Sequence, residues 1–441
     1  MIKNLKNPKL FIVHCVDTEG PMHESLEATF GRLKTIFNID LAASKDNLKK
    51  IQNQEIDLGV NTKRASDIFN QHNLTYNDSW DKIDLMLDKI MKKEYRSQFK
   101  DSHGNGNIYN WHCLDNVGFT TNQRRRDLGF GNIFVHYQKK IQEHASLDPI
   151  HWHFHPLSFT KDAHLSSTSY DNSYEILHQI ICRRLVDHNW FPIVNRAGFH
   201  AIRQDSSFFL EQWIPFDYAN QYYENENEDQ KDLSDGRFGD WRRSSASWCG
   251  YHPSHEDYQE EGSCNRMIFR CLNIGTRFRV ISLDHVRQAF KDAQNNSKAI
   301  LSFANHDYRD MREDVINITS MINEVKKEFN DVKIKFSGAE NAAIDLIYAQ
   351  DKPTPKFETS INDNKFVVKL TSGELFGSQP FLAIKTKDSK YYHDNFDIIT
   401  PRKVWSYTFD EQSFKLGDLL EVGAGSAGKY GSFYVDKIKF K

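Results

Sequence analysis

A chain of 441 residues exceeds one ordinary domain, so two domains are the starting expectation. An apolar fraction of 39% and a charged fraction of 27% describe a globular chain, and 22 Gly with 11 Pro exclude a collagen-like or linker-like composition. The formal net charge of −3 gives no electrostatic reason to expect nucleic acid or an anionic membrane surface as the partner.

The first apolar run, Leu10-Phe-Ile-Val13, is too short for the core of a signal peptide, which makes the cytoplasm the expected compartment. No run approaches the roughly 18 apolar residues of a membrane-spanning helix, so no integral membrane segment is expected. Residues 9–16 stop at Asp17-Thr-Glu-Gly-Pro21, and this length and stop predict a buried strand. Residues 22–107 are polar and helical in character, too long for a simple strand-to-helix connection. Short apolar runs then recur at 108–114 before Asp115, at 149–155 before Pro156, at Phe191-Pro-Ile-Val194 before Arg196, and at Ala299–Phe303 before His306. Between them, Tyr174, Leu177, Ile180, Ile181 and Leu185 follow helical spacing, as do Val315, Ile318, Ile322, Val325 and Phe329. An alternating strand follows at Val332, Ile334 and Phe336. Strands alternating with helices predict a parallel sheet or barrel, with the chemistry at the C-terminal strand ends.

Two features depart from that pattern. Residues 220–265 form an acidic, aromatic loop with Glu224, Glu226, Glu228, Asp229, Asp232 and Asp235, which a solvated surface insertion explains. Lys352-Pro-Thr-Pro-Lys356 reads as a stiff linker. Beyond it, strand-like runs at 365–370, 381–384, 404–409 and 434–438 predict a small β-sandwich over 357–441. The six cysteines are scattered without a CxxC pair, which points to reduced thiols rather than disulfides or a Cys-based zinc site.

Four segments could carry chemistry. Asp17 and Glu19 alternate at a strand end and can converge on one site, although a turn acid has the same spelling. His151-Trp-His153-Phe-His155 offers three imidazoles from one strand, and imidazole with carboxylate is a common ligand set for zinc-like ions. Arg196-Ala-Gly-Phe199 supplies a guanidinium that can hold a carboxylate ionised. Asn305-His306-Asp307 places a histidine beside a carboxylate, as a general acid or base requires. Each of the last two also suits a structural ion pair. Aromatic side chains stack on sugar faces, and Trp152, Phe199, Trp213, Tyr218, Trp241 and Trp248 are candidates for that role.

In this order the four segments resemble the polysaccharide deacetylase family of carbohydrate esterases, particularly the deacetylase-like proteins of bacterial surface-polysaccharide (O-antigen) clusters. The resemblance covers roughly residues 9–350. It implies an α/β fold, a distorted seven-stranded (β/α) barrel over 1–351. The insertions at about 22–107 and 220–265 would sit on that barrel, with the linker 352–356 and the β-domain 357–441 behind it. The resemblance implies one divalent metal, zinc first, held by Glu19, His151 and His155, with His153 as an alternative ligand because the segment also contains a His-x-His pair. Asp17 would be the base, Arg196 its support and His306 the acid, with Asp307 orienting His306 and touching substrate. Asp115, at another strand end, would be a further ligand or substrate contact, and Phe199 and Trp152 would line the sugar site. The implied reaction removes an N-acyl group, acetyl first, from a nucleotide-linked, lipid-linked or oligosaccharide amino sugar. Glu19 departs from the family, which has Asp there. Two other readings stay open: a metal-dependent amide hydrolase of the amidohydrolase type, whose His-x-His normally follows the first strand, and a non-catalytic carbohydrate-binding or assembly protein.

Overall fold

The computed structural model describes residues 7–120, 128–162, 170–224, 239–276, 279–348 and 353–440. The acidic residues Glu226, Glu228, Asp229, Asp232 and Asp235, and Lys352 of the expected linker, lie outside them.

The N-terminal part is built on β1 (Lys9–Thr18), β2 (Tyr109–Leu114), β3 (Ile150–Phe154), β4 (Val194–Ala197), β5 (Phe216–Asn220), β6 (Met267–Arg270), β7 (Leu272–Asn273), β8 (Lys298–His306) and β9 (Lys333–Phe336). Eight of these follow one path, β6-β5-β4-β3-β2-β1-β8-β7, and every pairing is parallel. The two ends of the path are consecutive in the chain, with Cys271 alone between β6 and β7, so the sheet curls into a nearly closed barrel. β9 pairs with Lys9–Ile12 of β1, while β2 pairs with the C-terminal half of β1 from His14 onward.

Strand alternation sorts the core. Leu10 and Ile12 of β1 pack outward with Val286, Phe290, Ile318 and Ile322. Phe11, Val13 and Cys15 take the other face with Phe269 and Ala304, and Asp17 continues that face to the strand end. The helices are α1 (Leu26–Phe37), α2 (Lys45–Gln52), α3 (Thr62–Ile68), α4 (Trp80–Ile90), α5 (Lys93–Arg96), α6 (Asn132–Glu143), α7 (Tyr174–His188), α8 (Gln204–Trp213), α9 (Leu283–Asn296), α10 (Arg312–Lys326) and α11 (Ala339–Ile347). Ser25, Ser44 and Ser79 cap α1, α2 and α4 through their hydroxyls, which explains why helices start there. Helices α1–α5 all lie between β1 and β2, and this long insertion has an apolar cluster of its own around Phe30, Leu33, Phe37, Ile51 and Phe69. The apolar run expected at 191–194 is displaced: β4 begins only at Val194, because Pro192 has no N–H to give a ladder.

The C-terminal part holds β10 (Lys356–Asn362), β11 (Lys365–Ser372), β12 (Phe381–Thr386), β13 (Tyr391–Asp394), β14 (Asp397–Thr400), β15 (Val404–Thr408), β16 (Leu419–Ala427) and β17 (Phe433–Lys439). They form two four-stranded antiparallel sheets, β10-β11-β15-β14 and β13-β12-β16-β17. Phe366, Val368, Leu382, Ile384, Trp405 and Val422 from both sheets share one core. The second sheet packs on α7: Gly423 and Gly425 leave room for Leu185, whose methyls lie 2.6 Å from where a Cβ would stand. Asp187 of α7 binds Lys385 and the Tyr391 hydroxyl, each at 2.7 Å. Among the described residues no helix is long and apolar enough to cross a membrane.

Candidate functional site

Register gathers the strand ends. Asp17 of β1 lies opposite His306 of β8, and His153 of β3 lies opposite Arg196 of β4. Arg196 Nε donates to both oxygens of Asp17, at 2.9 and 3.1 Å, and Arg196 Nη1 donates to the Tyr218 carbonyl at 2.6 Å. Both partners are buried, Asp17 at 2% exposure and Arg196 at 0%. Burial acts most strongly and works against the guanidinium charge, but the Asp17 carboxylate together with Cys271 and Cys15 holds the Arg196 pKa above its ordinary value.

Beside this pair, Glu19, His153 and His155 each offer one donor atom, and the three atoms lie within 4.8 Å of one another. His155 Nε2 stands 3.5 Å from Glu19 Oε1 and 3.1 Å from His153 Nε2. Ligands about 2.0–2.1 Å from a tetrahedral ion are about 3.3 Å apart, so this donor set fits a zinc-like divalent ion. His153 Nδ1 lies 2.6 Å from the Arg196 carbonyl. A carbonyl only accepts, so Nδ1 carries the hydrogen and Nε2 presents its lone pair. Burial pushes the His153 pKa down to about 3, against the opposing pull of Asp17, and keeps the ring neutral.

His306 closes the group from β8. Its Nε2 is 3.8 Å from Asp17 Oδ2 and 3.7 Å from Glu19 Oε1. At 19% its side chain is the most exposed of this set, and its ring stacks on Tyr308 with centroids 4.7 Å apart. The wall on the β4 side is a tight turn. Phe199, at φ 53°, sets its ring edge-on to His155 with centroids 5.0 Å apart. Gly198 lies so close to His155 that a Cβ there would overlap the imidazole. Arg196, Gly198 and Phe199 of Arg196-Ala-Gly-Phe199 are therefore engaged at or beside the site.

Four expected site residues lie elsewhere. His151 is buried below the group: its Nε2 is 3.1 Å from Asn110 Oδ1 and 3.2 Å from Glu340 Oε2, and its ring faces His112 at 5.0 Å. It is four residues from His155, about 13 Å along an extended strand, too far to share one ion. Asp115 accepts from Arg184 Nη2 at 2.5 Å and from the Gly131 N–H at 2.6 Å, and so fixes α7 and the start of α6 rather than meeting substrate. Trp152 points to the other face of β3 and packs on Phe154 and Phe209. Asp307 is 0% exposed and accepts from the Glu19 and Gly20 N–H groups at 2.8 and 3.1 Å and from Tyr137 Oη at 2.9 Å. It positions the turn that carries Glu19. Of the six aromatic candidates, Trp152, Trp213, Tyr218, Trp241 and Trp248 are buried, which leaves Phe199. Sequence reasoning missed Tyr308 and Tyr137. Tyr308, two residues beyond His306, was readable from alternation; Tyr137, on a helix distant in sequence, was not.

Comparison with family models, with characterised proteins and with solved structures found no match to this chain.

Proposed function

We propose that this protein is a metal-dependent hydrolase that removes an N-acyl group, acetyl first, from an amino sugar during assembly of a bacterial surface polysaccharide. The observation that carries the proposal is the convergence of one carboxylate held by an arginine, three metal-type donors and a part-exposed histidine at four strand ends. Counting β6 and β7 as one strand broken at Cys271 gives a barrel of seven, in keeping with the polysaccharide deacetylase type.

Glu19, His153 and His155 would hold the ion, which when bound polarises the acyl carbonyl and makes water a better nucleophile. Asp17 takes the proton of the attacking water. Its two bonds from Arg196 fix its orientation and set a guanidinium beside it in a buried place. His306 stands on the open side and gives a proton to the departing amine. Phe199 offers an apolar face to the sugar ring. A protein that only bound carbohydrate would have no use for a carboxylate placed between Arg196 and His306.

The test is acetate release from N-acetylated amino sugars, nucleotide-linked and oligosaccharide, by the zinc-loaded protein. Asp17→Asn keeps the side-chain shape and removes its basicity, so the rate on the substrate that is cleaved should fall by about 100-fold or more with metal content unchanged. An Asp17→Asn variant working at the parent rate would overturn the mechanism.

A further inference from the structure

The excursion between β5 and β6 carries a second convergence of metal-type donors. Glu211 on α8, His255 and Cys264 each offer one atom, and the three atoms lie within 4.8 Å of one another. We propose that this trio is a second divalent-metal site, suited to zinc, that staples the excursion to α8; it stands independently of the reading of the strand-end group.

Thiolate, imidazole and carboxylate together are a ligand set that selects zinc over magnesium or calcium. Two of them are anions when ligating, and a thiolate and a carboxylate this close need a cation between them to be ionised together. The carboxylate is already aimed. Glu211 Oε1 accepts the Asn265 N–H at 2.5 Å and Oε2 accepts the Arg266 N–H at 3.1 Å. Each oxygen keeps a further lone pair for an ion, and the same two bonds bring the adjoining Cys264 up to Glu211.

The other two ligands ride on one ladder. Bridges join Tyr251 to Ile268 and Pro253 to Glu261. The Gly262 N–H donates to the His252 carbonyl at 2.7 Å and the Cys264 N–H donates to the Pro253 carbonyl at 3.0 Å. His255 and Cys264 therefore come from opposite arms, and the His255 carbonyl accepts the Gln204 amide at the start of α8. Cys264 is buried at 4% exposure while His255 is exposed, which leaves one side of the trio open for a water as fourth ligand.

The staple has a consequence for the barrel mouth. Gly239 N–H donates to the Phe199 carbonyl at 3.0 Å and Trp241 Nε1 donates to the His200 carbonyl at 2.9 Å. Tyr258 Oη in turn donates to the Asp240 carbonyl at 2.7 Å. An ion on Glu211, His255 and Cys264 would thus anchor the segment that backs the Phe199 turn, a structural role rather than a chemical one.

The test loads the metal-stripped, full-length protein with cobalt(II). A cysteine ligand gives a thiolate-to-cobalt charge-transfer band in the near ultraviolet, and the strand-end group contains no sulfur, so the band reports this trio alone. The band should form in the parent protein, persist in His155→Ala and vanish in Cys264→Ser. Should Cys264→Ser fold poorly, the exposed-residue variant His255→Ala should bind cobalt at least about tenfold more weakly by the same band. No band at saturating cobalt, or a band of unchanged strength in Cys264→Ser and of unchanged affinity in His255→Ala, would overturn the proposal.

Discussion

The three histidines of β3 divide the work by position. His153 and His155 stand two residues apart and meet at 3.1 Å, whereas His151 turns to Asn110 and Glu340. The spacing was in the sequence: with a strand running through the whole segment, only neighbours on one face come within reach of one ion. What the sequence did not carry was the partner of Asp115. Asp115 has the same local setting as Asp17, but its partner is Arg184, distant in the chain and buried with it. Asp115→Ala would leave the Arg184 charge buried without its carboxylate, at a cost of about 3–5 kcal/mol, with strand-end metal content unchanged. Urea unfolding alongside metal analysis checks this; loss of metal in a variant of parent stability would return Asp115 to the site.

At the scale of elements, the turn after β4 decides whether His155 can take its place. Gly198→Ala would push a methyl group into the imidazole, while the turn itself needs positive φ only at Phe199 and His200. The variant should therefore stay folded and lose metal affinity, by about tenfold or more. Isothermal titration with zinc measures it, and parent affinity would mean that His155 does not ligate from this position. Legibility varied by element for physical reasons. β1, β2, β3 and β8 announce themselves as apolar runs that end in polar residues. β5, Phe216-Asp-Tyr-Ala-Asn220, is interrupted by Asp217, which accepts from Asn195 and Arg266. β6 and β7 are four and two residues long and follow an irregular excursion, too short for a period to show. The trio Glu211, His255 and Cys264 was invisible for the same reason: contacts within that excursion bring its members together, and no spacing motif marks them.

At the scale of the whole molecule, the barrel and the second C-terminal sheet share an apolar seam, in which His178 of α7 and His393 of β13 lie 4.4 Å apart, centroid to centroid. Burial lowers His393 to about 4, and burial with the neighbouring His393 lowers His178 to about 3; burial also lowers His14, on the outward face of β1, to about 4. The folded state keeps these rings neutral while the unfolded chain takes protons near pH 6.5. Their contribution is complete above that pH and is lost as the pH falls toward 4, each ring removing up to about 1.4 kcal/mol per pH unit. Melting temperature should therefore drop steeply from pH 6.5 to 5, and His393→Gln should flatten the slope; a Tm that is level over this range would contradict the shifts. The central claim is that Glu19, His153 and His155 hold the ion on which the hydrolase depends. It is tested most directly by zinc stoichiometry in the Cys264→Ser background, which removes the sulfur-bearing trio from the count. One ion per chain is predicted there, lost with His153→Ala and retained with His151→Ala; an ion that survives His153→Ala and leaves with His151→Ala would contradict the account.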